Sequence, residues 1–326
     1  MSIRPVDHGV LASQGGVIAD VVAYGGIVNQ YVDSVSGNTF RCHTFRGKGG
    51  WLEVISNPLS RTADILIVAG GGNAKGDYYN SASGGGGAGG VRLITGETMS
   101  TGVKTMSIGR GGVRYSASYA GNGGTDSYYT GWTAPYPSAD GGGAGSTGEG
   151  GAGGSGSGAS LGGTGGSGNV SGVSPAEGND GGDGYNNSSS SPHRGTGGGG
   201  GGAGAAGADG SSSSGGVGGA GGWSIGWQSQ HHAGTSSNGV QYGGGGGGCE
   251  RDGSTHGAGG SGGGGAGGKP GSTTGFGFSG VPNTGGGAGG STDQFIGSSG
   301  GLTTDSQFTG GGSGIIIVRY QVQEAA

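Results

Sequence analysis

A chain of 326 residues with 100 glycines, 29% hydrophobic residues and 10% charged residues cannot rest mainly on an ordinary apolar core, because globular domains use about 45–50% apolar residues. Eight prolines, with glycine absent from many third positions, exclude collagen. A net charge of −5 without a basic cluster argues against nucleic acid as a partner, and no apolar run approaches the length of a membrane-spanning helix, so no membrane insertion is expected.

Taken in order, residues 1–38 have near-normal composition and lack the basic and apolar regions of a secretory signal. Residues 17–24 and 27–32 are strand-like and flank Gly25-Gly26, which predicts a hairpin. The segment is expected to be an attachment segment or an edge of the domain beginning near residue 39. Strands are then predicted over residues 39–45, 51–55, 64–69, 91–94, 103–108 and 127–129. The run from Asp64 to Ala69 is continuously apolar after its first residue, as a strand buried on both faces would be. Val103, Thr105 and Ser107 alternate with Lys104, Met106 and Ile108. The last segment, Ile315-Ile316-Ile317-Val318-Arg319-Tyr320, is the most strand-like of all and needs a sheet. That sheet is expected in the first 130 residues. The implied organisation is a β-sandwich of residues 39–130 plus 314–326, with a glycine-rich insertion over 131–313.

Within the insertion, Glu149, Ala152, Ser155, Leu161, Thr164 and Ser167 share one three-residue phase, extended by Val170 and Val173, and a second run repeats it in Ala205, Ala208, Ser211, Ser214, Val217, Ala220 and Trp223. A period of three with glycine between is the period of polyproline II, a conformation without internal hydrogen bonds. Each run is therefore expected to be one rod of a polyglycine II helix bundle. Such rods must hydrogen-bond sideways, glycine allowing close approach and the third face carrying side chains outward.

Most site chemistry is rejected at this level. Residues 263–269 satisfy G-x-x-x-x-G-K, but Pro270 stands where a magnesium-holding Ser or Thr belongs. His231, His232 and His256, with Cys249, Glu250 and Asp252, are ligand-type residues, yet adjacent histidines share no helical face, and no metal or other cofactor is expected. No Ser/His/Asp set or carboxylate pair stands out, so the chain is not expected to be an enzyme. Cys42 and Cys249 form no disulfide framework and are expected to be free thiols. The aromatics are more informative. Tyr78, Tyr79, Trp132, Tyr136, Trp223, Trp227, Tyr242, Phe276 and Phe278 lie in the interruptions between glycine tracts, where they either contact a receptor or pack between rods.

Residues 40–45, 63–72, 84–91, 106–112, 121–127 and 312–320, in that order, resemble the glycine-rich domain family of bacteriophage tail and fibre proteins. The chain is also similar to the glycine-rich region of anaplastic lymphoma kinase-type receptors and, in principle, to the tip adhesins of T-even-like phages. The resemblance implies a mostly β fold, a jelly-roll or tumour-necrosis-factor-like β-sandwich carrying an inserted polyglycine II helix bundle. It also implies a virion protein, a tail or head fibre tip or decoration made in the host cytoplasm. Its partners would be other virion proteins, further copies in a homotrimer, and a host receptor, either a carbohydrate or an outer-membrane protein. A cellular surface adhesin or receptor-ligand module, and an ice-binding protein, are the alternatives for such a chain.

Overall fold

The structure, a computed structural model, describes residues 20–33, 36–74, 82–113, 122–131, 138–139, 142–143, 148–187, 194–225, 240–250, 255–268, 277–291 and 309–322. The strands begin with β1 (Val22–Tyr24), β2 (Ile27–Val32), β3 (Thr39–Phe45), β4 (Gly50–Ser56), β5 (Thr62–Val68), β6 (Val91–Thr98) and β7 (Gly102–Ser107). They continue with β8 (Ser127–Thr130), β9 (Ser138–Ala139), β10 (Tyr185–Asn187), β11 (Arg194–Thr196), β12 (Gly222–Ile225), β13 (Val240–Tyr242) and β14 (Ile315–Val322). Two five-stranded sheets, ordered β1-β4-β7-β8-β9 and β2-β3-β14-β5-β6, carry most of them, and β10-β11 and β12-β13 form two small pairs.

The two large sheets share a core. Leu52, Val54, Met106 and Tyr129 of the first pack with Phe45, Ile65, Ile67, Ile316 and Val318 of the second. On β7 the alternation works as written: Val103 is 56% exposed, while Lys104 and Met106 point inward. The Lys104 ammonium donates to Ser100 Oγ at 2.9 Å and to the Gly131 carbonyl at 2.6 Å. Burial still holds its pKa below the usual lysine range.

Strand β14 is the centre of the second sheet, antiparallel to β3 on one side and β5 on the other. Its unbroken apolar run is explained by having both faces covered. Ile316, Val318, Tyr320 and Val322 join the core between the sheets. Ile315 and Ile317 turn the other way, onto Cys42, Leu66, Val68, Val91 and Tyr242, with Ala203 of the glycine region against them. The glycine region is thus the second cover of this sheet, and each isoleucine buried beneath it contributes about 1.5–3 kcal/mol.

The predicted hairpin of residues 17–32 does not form. β1 pairs with β4 in one sheet and β2 with β3 in the other, so Gly25-Gly26 carries the chain across the sandwich edge. Both glycines have positive φ, 121° and 62°, and a Cβ on Gly25 would overlap the Trp51 carbonyl. The crossing is tight because His43 Nδ1–H donates to the Gly25 carbonyl at 2.7 Å.

The glycine region corrects the sequence-based expectation more deeply. An inserted polyglycine II helix bundle is not supported: no helix occurs among the described residues, and between the short strand pairs the glycine segments carry only turns, bends and irregular backbone. Neither phased run is one rod. Residues 148–168 turn at Leu161 (φ 43°) and Gly162 (φ 76°), closed by Gly163 N–H donating to the Ser160 carbonyl at 2.9 Å. The limbs then bond to each other, Gly150 to Thr164 at 2.8 Å and Gly166 to Ser157 at 2.8 Å. The second run reverses between Ser211 and Ser214 and pairs Ala208 with Val217 at 2.9 Å. The physical reason is that a glycine repeat has no side chains to hold a long straight path; Gly162 takes a positive φ at the first reversal, and at the second Ser214 N–H donates to Ser211 Oγ at 3.1 Å.

Lateral bonding is nonetheless the rule. Residues 84–90 bond to 72, 143, 155, 158, 198, 201, 246, 285 and 288, through pairs such as Gly85 to Gly198 (3.0 Å), Gly86 to Ala288 (2.7 Å) and Gly246 to Gly86 (2.9 Å). Added Cβ atoms at Gly71, Gly86, Gly200 or Gly246 would overlap neighbouring backbone carbonyls. Side chains on the three-residue phase face solvent where there is room. Val217 and Ala220 are exposed, between buried Gly215, Gly216, Gly218 and Gly219.

Candidate functional site

One part of the glycine layer brings together residues that flank several segments outside the described ones. After β5 the chain runs away from the sheet through residues 69–74, and it returns through 82–90 into β6. At the turning point lies a buried node of Ser83, Cys249 and Ser291. Ser83 N–H donates to Cys249 Sγ at 2.8 Å, and the thiol donates to the Ser291 carbonyl at 3.1 Å. Ser83 Oγ donates to the same carbonyl at 2.9 Å and accepts from Ser291 N–H at 2.7 Å. The backbone extends the node: Cys249 N–H to the Ser83 carbonyl at 3.0 Å, Gly197 N–H to the Cys249 carbonyl at 2.9 Å, and Gly268 N–H to the Gly290 carbonyl at 2.7 Å. Gly277 N–H reaches Ser291 Oγ at 3.1 Å, and Thr196 bridges to Glu250.

This network clamps the starts or ends of the segments 75–81, 251–254, 269–276 and 292–308. Three small polar side chains suit the place, because each satisfies buried backbone groups without holding the glycine segments apart. Nothing in the sequence marks Ser83 or Ser291 against a background of similar serines. Cys249 is distinguished only by following a six-glycine tract.

Most of the sequence-derived contact residues lie outside the described residues. Tyr78, Tyr79 and Phe276 lie outside the described residues, in segments whose bases meet at the node. Phe278, two residues past such a segment, is 61% exposed. Trp227, His231 and His232 also lie outside the described residues, between β12 and β13 in sequence. Trp223 belongs to β12 itself. Trp132 and Tyr136 are outside the described residues too, between β8 and β9.

Tyr242 must be withdrawn as a surface contact. β13 lays it on the outer face of the β3-β14-β5 sheet, where it is 1% exposed against Cys42, Leu66 and Ile317. Burial pushes its phenol above the usual range.

Of the metal-ligand candidates, His231, His232 and Asp252 lie outside the described residues and His256 within them. Among the described residues no group of three or more His, Cys, Asp or Glu is placed to hold an ion, and Cys249 is committed to the node. Cys42 is likewise buried and free, and desolvation pushes its thiol up to about 12. Cys42 therefore lacks the thiolate character that nucleophilic chemistry requires.

Carboxylates along the exposed edge of the layer have a structural job. Asp183 accepts from Gly165 N–H at 2.8 Å, Asp180 from Gly168 N–H at 2.8 Å, Asp209 from Asp183 N–H at 2.8 Å and Glu149 from Thr164 N–H at 3.0 Å. They stand in for the neighbouring segment that the outermost amides lack. These carboxylates therefore fix backbone at the edge of the layer.

No curated protein matches the chain. A family model described as a glycine-rich domain matches residues 47–321, a span that takes in both the sandwich strands from β4 onward and the whole glycine layer. The chain belongs to the glycine-rich domain family.

Proposed function

We propose that the protein is a non-enzymatic structural component of a bacteriophage virion, a tail or head fibre tip or decoration that presents loops to the host surface. The observation that carries this reading is the Ser83–Cys249–Ser291 node, which holds the bases of four segments together at the end of a backbone-bonded layer. A platform whose stability lies in backbone bonding leaves the residues of those segments free to change with the host. The resemblance of its ordered motifs to those of phage tail and fibre proteins supports the virion context, with other virion proteins and a host receptor as the proposed partners.

The test is immunogold labelling of particles purified from a host that carries the encoding genome, with binding of the isolated protein to intact host cells measured alongside. Label at the tail or capsid together with saturable cell binding is the expected result. Absence from particles with display on the cell surface would overturn the virion reading in favour of a cellular adhesin.

A further inference from the structure

At the sandwich edge, away from the node, two glycine turns meet. Gly25-Gly26 crosses between the sheets, and residues 46–49 join β3 to β4. Gly25, Gly26 and Gly49 all have positive φ. A Cβ on Gly25 would overlap the Trp51 carbonyl, and one on Gly49 would overlap the Met106 carbonyl, so both turns lie flat on the strands beneath. Between them is a cavity of about 300 Å³, whose lining includes these glycines with Phe45, Arg46 and Trp51. The His43 hydrogen bond to Gly25 fixes one wall, so the cavity exists before any ligand arrives.

Its chemistry is uneven in an informative way. Phe45 is 3% exposed and forms an apolar floor, while Trp51 is 51% exposed on the outer face of β4. Arg46 and Lys48 stand exposed on the same turn, and neither has an ion pair among the described residues. Arg46, which lines the cavity together with Trp51, and Lys48, two residues along the same turn, give this edge a charge opposite to the net −5 of the chain. An aromatic face next to a cationic edge complements a ring that is apolar on one face and anionic at its rim. The volume lies at the small end of ligand cavities, about 300–1,000 Å³, and fits one such ring.

We infer that this cavity binds a carboxylated sugar unit, of the uronic or sialic acid type, within a surface polysaccharide. Trp51 stacks on the ring, and Arg46 with Lys48 pairs with the carboxylate. The inference rests on the host-attachment reading for the choice of a surface glycan over other anionic rings. It adds a contact on the sandwich, distinct from the loops at the node.

The test is titration of the full chain with glucuronic, galacturonic and N-acetylneuraminic acids, with glucose, galactose and AMP as comparators, read by tryptophan fluorescence and calorimetry. Trp51→Ala and the double variant Arg46→Ala/Lys48→Ala are confirmed folded by their melting curves. The acidic sugars should bind at least about fivefold tighter than their neutral counterparts, with affinity falling as salt rises. Binding should be lost in Trp51→Ala, and the acid preference should vanish in the double variant. Equal binding of neutral sugars, no binding of the acids, undiminished binding by Trp51→Ala, or AMP binding as tightly as the acids would each overturn the assignment. Host-cell binding that survives in both variants would remove the cavity from attachment and leave the virion reading standing. Acid-sugar binding by a protein missing from particles would do the reverse.

Discussion

His43 sits at the junction of both sheets and is fully buried. Its Nδ1–H donates to the Gly25 carbonyl, so Nε2 must accept, and Tyr320 donates its hydroxyl there at 2.9 Å. Desolvation, the largest influence, lowers the imidazole from 6.5 to about 4. The unfolded chain therefore binds the extra proton between those values. The stability from keeping His43 neutral is complete above pH 6.5 and is lost as pH falls through 4. From pH 7 to 4.5 this one group should remove about 2.5 kcal/mol of unfolding free energy. Urea titrations of the wild type and His43→Gln at both pH values check it, the variant showing the smaller loss. At Gly163 the issue is space. A Cβ there would overlap the Gly148 carbonyl, whereas Thr164 beside it is exposed. Gly163→Val should destabilise by about 1–3 kcal/mol or more, and Thr164→Val by no more than about 0.5 kcal/mol. Equal melting temperatures for the two variants would deny the close backbone packing.

Among the elements, β14 and β7 make a controlled comparison. Ile317 lies on the outer face of its sheet, yet it is 1% exposed because Tyr242 and the glycine layer cover it; Val103, on the outer face of the other sheet, is 56% exposed. Ile317→Ala should cost about 2–5 kcal/mol, and Val103→Ala should stay within about 0.5 kcal/mol, as chemical denaturation would record. Much of this level is legible in the sequence. The alternation in 103–108 and the apolar runs of β5 and β14 announce themselves, because side-chain pattern reports which faces are covered. The glycine runs are legible only in part. Their three-residue phase tells which side chains face out at Val217 and Ala220, though not at Ser155, which is buried, and the reversals at Leu161-Gly162 and Ser211–Ser214 look like any other part of the repeat. Pairing across the sandwich is equally hidden: Gly25-Gly26 has the composition of a hairpin turn, and only the contacts to Trp51 and His43, distant in sequence, send β1 and β2 to different sheets. Tyr242 misleads for the same reason, since nothing near it in sequence records that β14 lies beneath.

Over the whole molecule, two kinds of cohesion meet at one sheet. On one side of β14 an apolar core of ordinary kind holds the sandwich together; on the other, glycine segments pack backbone to backbone, many amides donating to segments far away in sequence. A net gain of about 0.5–1.5 kcal/mol per hydrogen bond must offset a conformational cost for glycine up to about 1 kcal/mol above that for alanine, so the layer is stable only when nearly all of its bonds form together. That cooperativity depends on the docking of Ile315, Ile317 and Tyr242. Amide hydrogen exchange tests this most directly. Residues 84–90, 197–202, 243–248 and 285–290 should be protected to an extent comparable with β14 and should open with it as one unit when denaturant is added. Exchange at the rate of an unstructured glycine chain in those segments, while β14 stays protected, would contradict the account.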